Sequence, residues 1–137
     1  MKITPSQQIQ LQAIGEKYNL KFMIIYGSFA KGRPHSQSDI DIGVLGKTKM
    51  DRSLMMQLYA ELADVFQVKD LDLKSLSGID PLFRYEAMRD SLLIFGDPVD
   101  YHSFKAYAFR DYMDSQSLFR LQSKLVRKGI KTLRERM

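Results

Sequence analysis

The sequence contains no cysteine, and that absence removes disulfide bonds, thiol chemistry and zinc sites of the cysteine type. A catalytic metal in such a chain is expected to rest on oxygen ligands, which makes carboxylates the candidates. No stretch approaches the roughly 20 consecutive apolar residues that a membrane span requires. The opening MKITPSQQ lacks the apolar segment of a secretory signal, so the expected location is cytoplasmic, with no membrane partner. Internal repeats, low-complexity tracts and linkers are also missing. The expectation is therefore one domain over residues 1–137, with a catalytic core over about 1–98 and a helical extension over about 99–137.

What is present suits a folded chain with anionic partners. At 137 residues and 45% hydrophobic content, the chain can bury a core. Its net charge of +5 fits nucleotides, nucleic acid or an acidic protein surface, and does not choose among them. Much of the excess is concentrated, because Arg120, Lys124, Arg127, Lys131 and Arg134 follow one another at steps of four, three, four and three. Those steps describe one basic stripe on a helix, beside an apolar stripe of Phe119, Val126, Ile130, Leu133 and Met137.

Periodicity and punctuation predict an α/β arrangement. Thr4-Pro5 with Gln7 has the form of a capping box, so a helix is expected from there to about Tyr18. Phe22 to Tyr26 is an apolar run of strand length, closed by Gly27. After the turn- and loop-like residues 27–38, Asp39 to Val44 alternates with period two, which puts two carboxylates on one face of a strand. Asp51 can cap a helix carrying Leu54, Met55, Leu58, Leu62 and Val65, ending before Val68. A third strand is expected over Val68–Leu73, a helix around Pro81–Arg89, a short apolar segment over Leu92–Phe95, and helix beyond Pro98. The expected sheet is small and mixed, with carboxylates along one edge of a cleft and helices on the sheet's other side.

The chemistry is concentrated in Gly27-Ser28, ten further residues, then Asp39-x-Asp41. Gly27 permits a sharp turn and close approach to a ligand, while Ser28 and nearby N–H groups can hold phosphate oxygens. Asp39 and Asp41 share a strand face, so both can reach the Mg²⁺ ions that neutralise and align a triphosphate. A further carboxylate is needed as metal ligand and base. Asp70 and Asp72 are the candidates, and Asp72 is preferred because a charged residue between Leu71 and Leu73 needs a reason to be there. By chance, four such residues at these spacings should arise in roughly one chain of this length in several hundred.

With those residues in place, the chain resembles the minimal nucleotidyltransferases of the DNA polymerase β superfamily, whose mark stands here as GSFAKGRPHSQSDIDIGVL. The likeness continues through LDLKSLSGIDPLFRYEAMRDSLLIFGDP and YHSFKAYAFRDYMD, and the family's register also puts the third carboxylate at Asp72. Within that superfamily the chain is most similar to MntA-type antitoxins, encoded beside HEPN-domain ribonuclease toxins. The resemblance implies a polymerase β-like nucleotidyltransferase fold, two Mg²⁺ ions, ATP as substrate, and transfer of AMP to a tyrosine hydroxyl of a HEPN toxin, which silences it. Composition and spacing alone reach only to metal-dependent transfer from a nucleotide.

Other candidates carry less. Lys31 and Arg33 can contact the triphosphate, although exposed loop cations are commonly only solvated. Ser38 can cap or brace Asp39. His35 and His102 have no partner at metal-ligand spacing and are read as surface residues. The aromatics Tyr101, Phe104, Tyr107, Phe109, Tyr112 and Phe119 either dock a partner or pack back on the domain. Competing readings are transfer to a small molecule, an antitoxin that masks its toxin without catalysis, and, more weakly, nucleic-acid binding through the basic stripe.

Overall fold

Capping side chains set most of the helix starts. The computed structural model describes residues 3–27 and 40–135, apart from the side chains of residues 119 and 135. Helix α1 (Pro5–Lys17) begins on the expected capping box: the Thr4 hydroxyl accepts from the Gln7 N–H at 3.1 Å, and the Gln7 side chain accepts from the Thr4 N–H at 3.0 Å. Asp51 caps α2 (Arg52–Phe66), accepting from the Leu54 N–H at 2.7 Å, and Asp80 caps α3 (Pro81–Arg89) through the Leu82 N–H at 2.8 Å. The strands are β1 (Leu20–Tyr26), β2 (Ile40–Gly46), β3 (Leu71–Ser75) and β4 (Leu92–Gly96), and the long helix α4 (Pro98–Glu135) follows.

The strands form one mixed sheet in the order β3-β2-β1-β4. Strand β1 is antiparallel to β2 and β4, whereas β2 and β3 are parallel. This is the small mixed α/β sheet that the sequence predicts, with a helical C-terminal segment. Central β1 is apolar almost throughout because both of its faces are covered. On one face Met23, Ile25, Ile42 and Val44 pack beneath Leu11 and Ile14 of α1 and Leu58 and Leu62 of α2. On the other, Phe22, Ile24 and Tyr26 meet Ala87 and Met88 of α3 and Tyr101 and Ala108 of α4. Helices thus cover both faces, not only the one expected. The carboxylate face also carries Phe22 and Ile24, whose burial favours cover there.

The third strand starts later than the Val68 expected. Gln67 adopts a left-handed conformation (φ 51°) that ends α2, and the Val68 N–H bonds back to the Ala63 carbonyl at 3.2 Å. Val68 belongs to the helix terminus, so pairing begins at Leu71, and exposed Asp70 lies outside the ladder.

Helix α4 divides into two parts. Its first turns pack on the sheet, where Tyr101 and Phe104 meet the Phe22 ring edge-on. Tyr112 stacks on Tyr85 of α3 at 4.7 Å, so several of the C-terminal aromatics pack back on the domain, while Tyr107 and Phe109 remain partly exposed. From residue 117 to 134 every described side chain is exposed, including Leu118, Leu121, Leu125, Val126, Ile130 and Leu133. Among the described residues no helix is long and apolar enough to cross a membrane.

Candidate active site

The sheet register assembles the site. Asp41 stands opposite Tyr26 across the antiparallel β1–β2 pair and opposite Asp72 across the parallel β2–β3 pair. Alternation turns all three toward one face, because Ile40, Ile42 and Leu71 are committed to the core on the opposite side. With neighbouring strands about 4.8 Å apart, Tyr26, Asp41 and Asp72 form a row across three strands. Asp72 is half-exposed, and its weak ion pair with Lys74 is 3.9 Å long.

Gly27 completes this edge. Its φ of +77° lies in the left-handed region, and a Cβ placed there would sit 2.6 Å from Asp41 Oδ2. The residue therefore meets two demands at once, a turn that L side chains resist and a backbone pressed against a carboxylate.

Tyr26 is the residue that sequence reasoning missed. It is 7% exposed, and its buried hydroxyl has no hydrogen-bond partner among the described residues. Its ring meets Phe83 of α3 edge-on at 6.0 Å. Burial, then the negative charges of Asp72 and Asp41, push the phenol pKa far above its ordinary value, so the group stays a neutral donor. The available signal was a tyrosine ending an otherwise aliphatic run directly before Gly27. Beside it, a cavity of about 330 Å³ opens between the end of β1 and α3, lined by Tyr26, Gly27, Phe83, Glu86 and Arg89 among others.

Of the sequence-predicted site residues, Gly27, Asp41 and Asp72 are brought together. Ser28, Lys31, Arg33, His35, Ser38 and Asp39 lie outside the described residues. His102 meets the Tyr101 ring at 5.0 Å and is exposed, as its surface reading anticipates. Among the described residues no three metal-ligating side chains converge. Two adjacent carboxylates nevertheless form a hard oxygen donor set of the type that suits Mg²⁺, and Gly27 leaves room at Asp41 for no side chain of its own.

The fold is similar to that of known proteins. The family model described as "Polymerase beta, Nucleotidyltransferase" matches residues 9–98. No curated protein matches significantly. Among solved structures, a chain of a toxin-antitoxin crystal structure with AMP-PNP is similar at TM-score 0.73 and 21% identity, covering 87% of this chain and 97% of the other. A chain of a complex between a tri-AMPylated Shewanella oneidensis HEPN toxin and an MNT antitoxin is similar at TM-score 0.67 and 19% identity, covering 88% and 96%. A structure described as a minimal nucleotidyltransferase is similar at TM-score 0.55 and 21% identity, covering 64% and 87%. At such identities the likeness speaks for the fold.

Proposed function

The chain belongs to the polymerase β nucleotidyltransferase family, and from that premise we propose that it is an antitoxin that transfers AMP from ATP to a tyrosine hydroxyl of a HEPN-domain toxin. The observation that carries the catalytic part is the register pairing of Asp41 with Asp72 on one sheet face, against the Gly27 turn. Clustered carboxylates that repel one another have no use in a module that only binds. The partner is supported by the fold neighbours, which include toxin-antitoxin complexes, one of them with AMP-PNP and one with an AMPylated HEPN toxin.

In this reading Asp39, Asp41 and Asp72 are the carboxylates that hold two Mg²⁺ ions. Bound there, the ions supply charge neutralisation of the triphosphate. Gly27 and Ser28 turn backbone N–H groups toward the β and γ phosphates, with Lys31 and Arg33 as further phosphate contacts and Ser38 bracing Asp39. Asp72 accepts the proton of the attacking hydroxyl. The new bond joins that oxygen to the α-phosphorus, the bond from the α-phosphorus to the β-phosphate bridge breaks, and pyrophosphate leaves with the electron pair.

The test is pyrophosphate release from ATP in the presence of Mg²⁺ and a HEPN-domain toxin of the proposed kind. Wild type is expected to release pyrophosphate in step with modification of the toxin, and Asp41→Asn to release none. Toxin neutralised equally by both proteins without pyrophosphate release would replace transfer by masking.

A further inference from the structure

A tyrosine hydroxyl buried without a partner costs roughly 1–3 kcal/mol, and a phenylalanine would fill the same space without that cost. Among the described residues the buried Tyr26 hydroxyl has no partner. Its ring packing is already complete, since it joins the cluster of Phe22, Ile24 and Met88 and meets Phe83 edge-on. Packing therefore explains the ring and leaves the oxygen unexplained. Carboxylates are among its neighbours: Asp41 is its cross-strand partner, and Asp72 follows in the same row. The hydroxyl is itself sealed from solvent, so a substrate cannot reach it directly.

We propose that the Tyr26 hydroxyl is the outer hydrogen-bond donor that fixes the Asp41–Asp72 carboxylate pair in its cation-holding orientation. The inference rests on the reading of those two residues as metal ligands. A ligating carboxylate has two oxygens, and the one turned away from the cation requires a donor to hold it. The hydroxyl has no partner among the described residues, and the two carboxylates repel each other when no cation neutralises them. With the cation they are drawn together, and the phenol donates to the outward oxygen. Tyr26 is thus a positioning residue whose cost falls on the free protein and whose return comes in the loaded one. It also accounts for a polar residue at the end of β1, where the strand otherwise buries Phe22 and Ile24 on this face.

The variant is Tyr26→Phe, which keeps the ring and removes only the oxygen. The measurements are thermal stability of the metal-free protein and Mn²⁺ affinity in the presence of a non-hydrolysable ATP analogue, by calorimetry. The expected result is a metal-free protein as stable as wild type or more so, with Mn²⁺ binding weakened about tenfold or more. Unchanged Mn²⁺ affinity in Tyr26→Phe, with wild type binding normally, overturns the inference and leaves the carboxylate assignment standing. A metal-free Tyr26→Phe protein that melts well below wild type with Mn²⁺ affinity intact also overturns it, by giving the hydroxyl a purely structural role. If wild type itself binds no Mn²⁺, the carboxylate assignment fails and this inference fails with it.

Discussion

Gly27 and Asp41 constrain each other, because the left-handed turn carries the glycine's backbone to within van der Waals reach of the carboxylate. Gly27→Ala must therefore either strain the turn, at about 1–2 kcal/mol, or displace Asp41. Both routes predict a modest loss of stability in chemical denaturation and a larger loss of AMP transfer, and normal transfer by Gly27→Ala would contradict the close packing. Asp72→Asn removes one of two facing like charges and should fold with a melting temperature equal to or above wild type. Its transfer rate should fall on the order of 10³-fold, the equivalent of several kcal/mol of charge stabilisation. A variant that unfolds, or that retains near wild-type transfer, would remove Asp72 from the site.

Among the elements, α3 and α4 are joined by one buried cation. The Arg84 guanidinium donates to the Leu76 carbonyl at 2.8 Å, the Ile79 carbonyl at 3.2 Å and Asp111 Oδ2 at 3.2 Å, and its side chain is 8% exposed. Arg84→Met should destabilise by roughly 2–4 kcal/mol, because it orphans two carbonyls and the carboxylate together. Arg84→Lys should not restore the loss, since one ammonium cannot reproduce the planar fork. Denaturant midpoints measure both, and full stability in Arg84→Lys would reduce the contact to a point charge. Elements with local punctuation were legible in the sequence: Thr4-Pro5, Asp51 and Pro81 start helices where their chemistry requires. The start of β3 was not, because Gln67 closes α2 in a left-handed conformation without the glycine that usually signals it. The carboxylate pair was legible from alternation and from one charge between two leucines. Tyr26 was hidden, since an apolar run reports burial and says nothing about whether a hydroxyl within it finds a partner.

Across the whole molecule, the active edge lies among buried neighbours while the last five turns of α4 stand clear of the domain. That arm carries Arg120, Lys124, Arg127, Lys131 and Arg134 on one face and Leu118, Leu121, Leu125, Val126, Ile130 and Leu133 on another. Its basic face is a candidate docking surface for the toxin of the proposed function. Replacing Arg120, Lys124, Arg127 and Lys131 with Ala should weaken toxin binding roughly tenfold at low salt, mainly through a slower association rate. The difference should shrink as salt rises, since charges are screened over about 8 Å at physiological ionic strength. ATP binding should be unchanged. Equal toxin affinity of both proteins at low and high salt would reject the basic face as a docking surface.

Intact mass spectrometry of the toxin reads directly whether the carboxylate edge transfers AMP onto a bound protein. After incubation of the purified chain with Mg²⁺, ATP and the HEPN-domain toxin proposed as its partner, the toxin mass should rise by one or more adenylyl groups. It should stay unchanged when Asp41→Asn or Asp72→Asn replaces wild type. A toxin that is bound and silenced by wild type, yet keeps its mass with every nucleotide offered, would contradict the account.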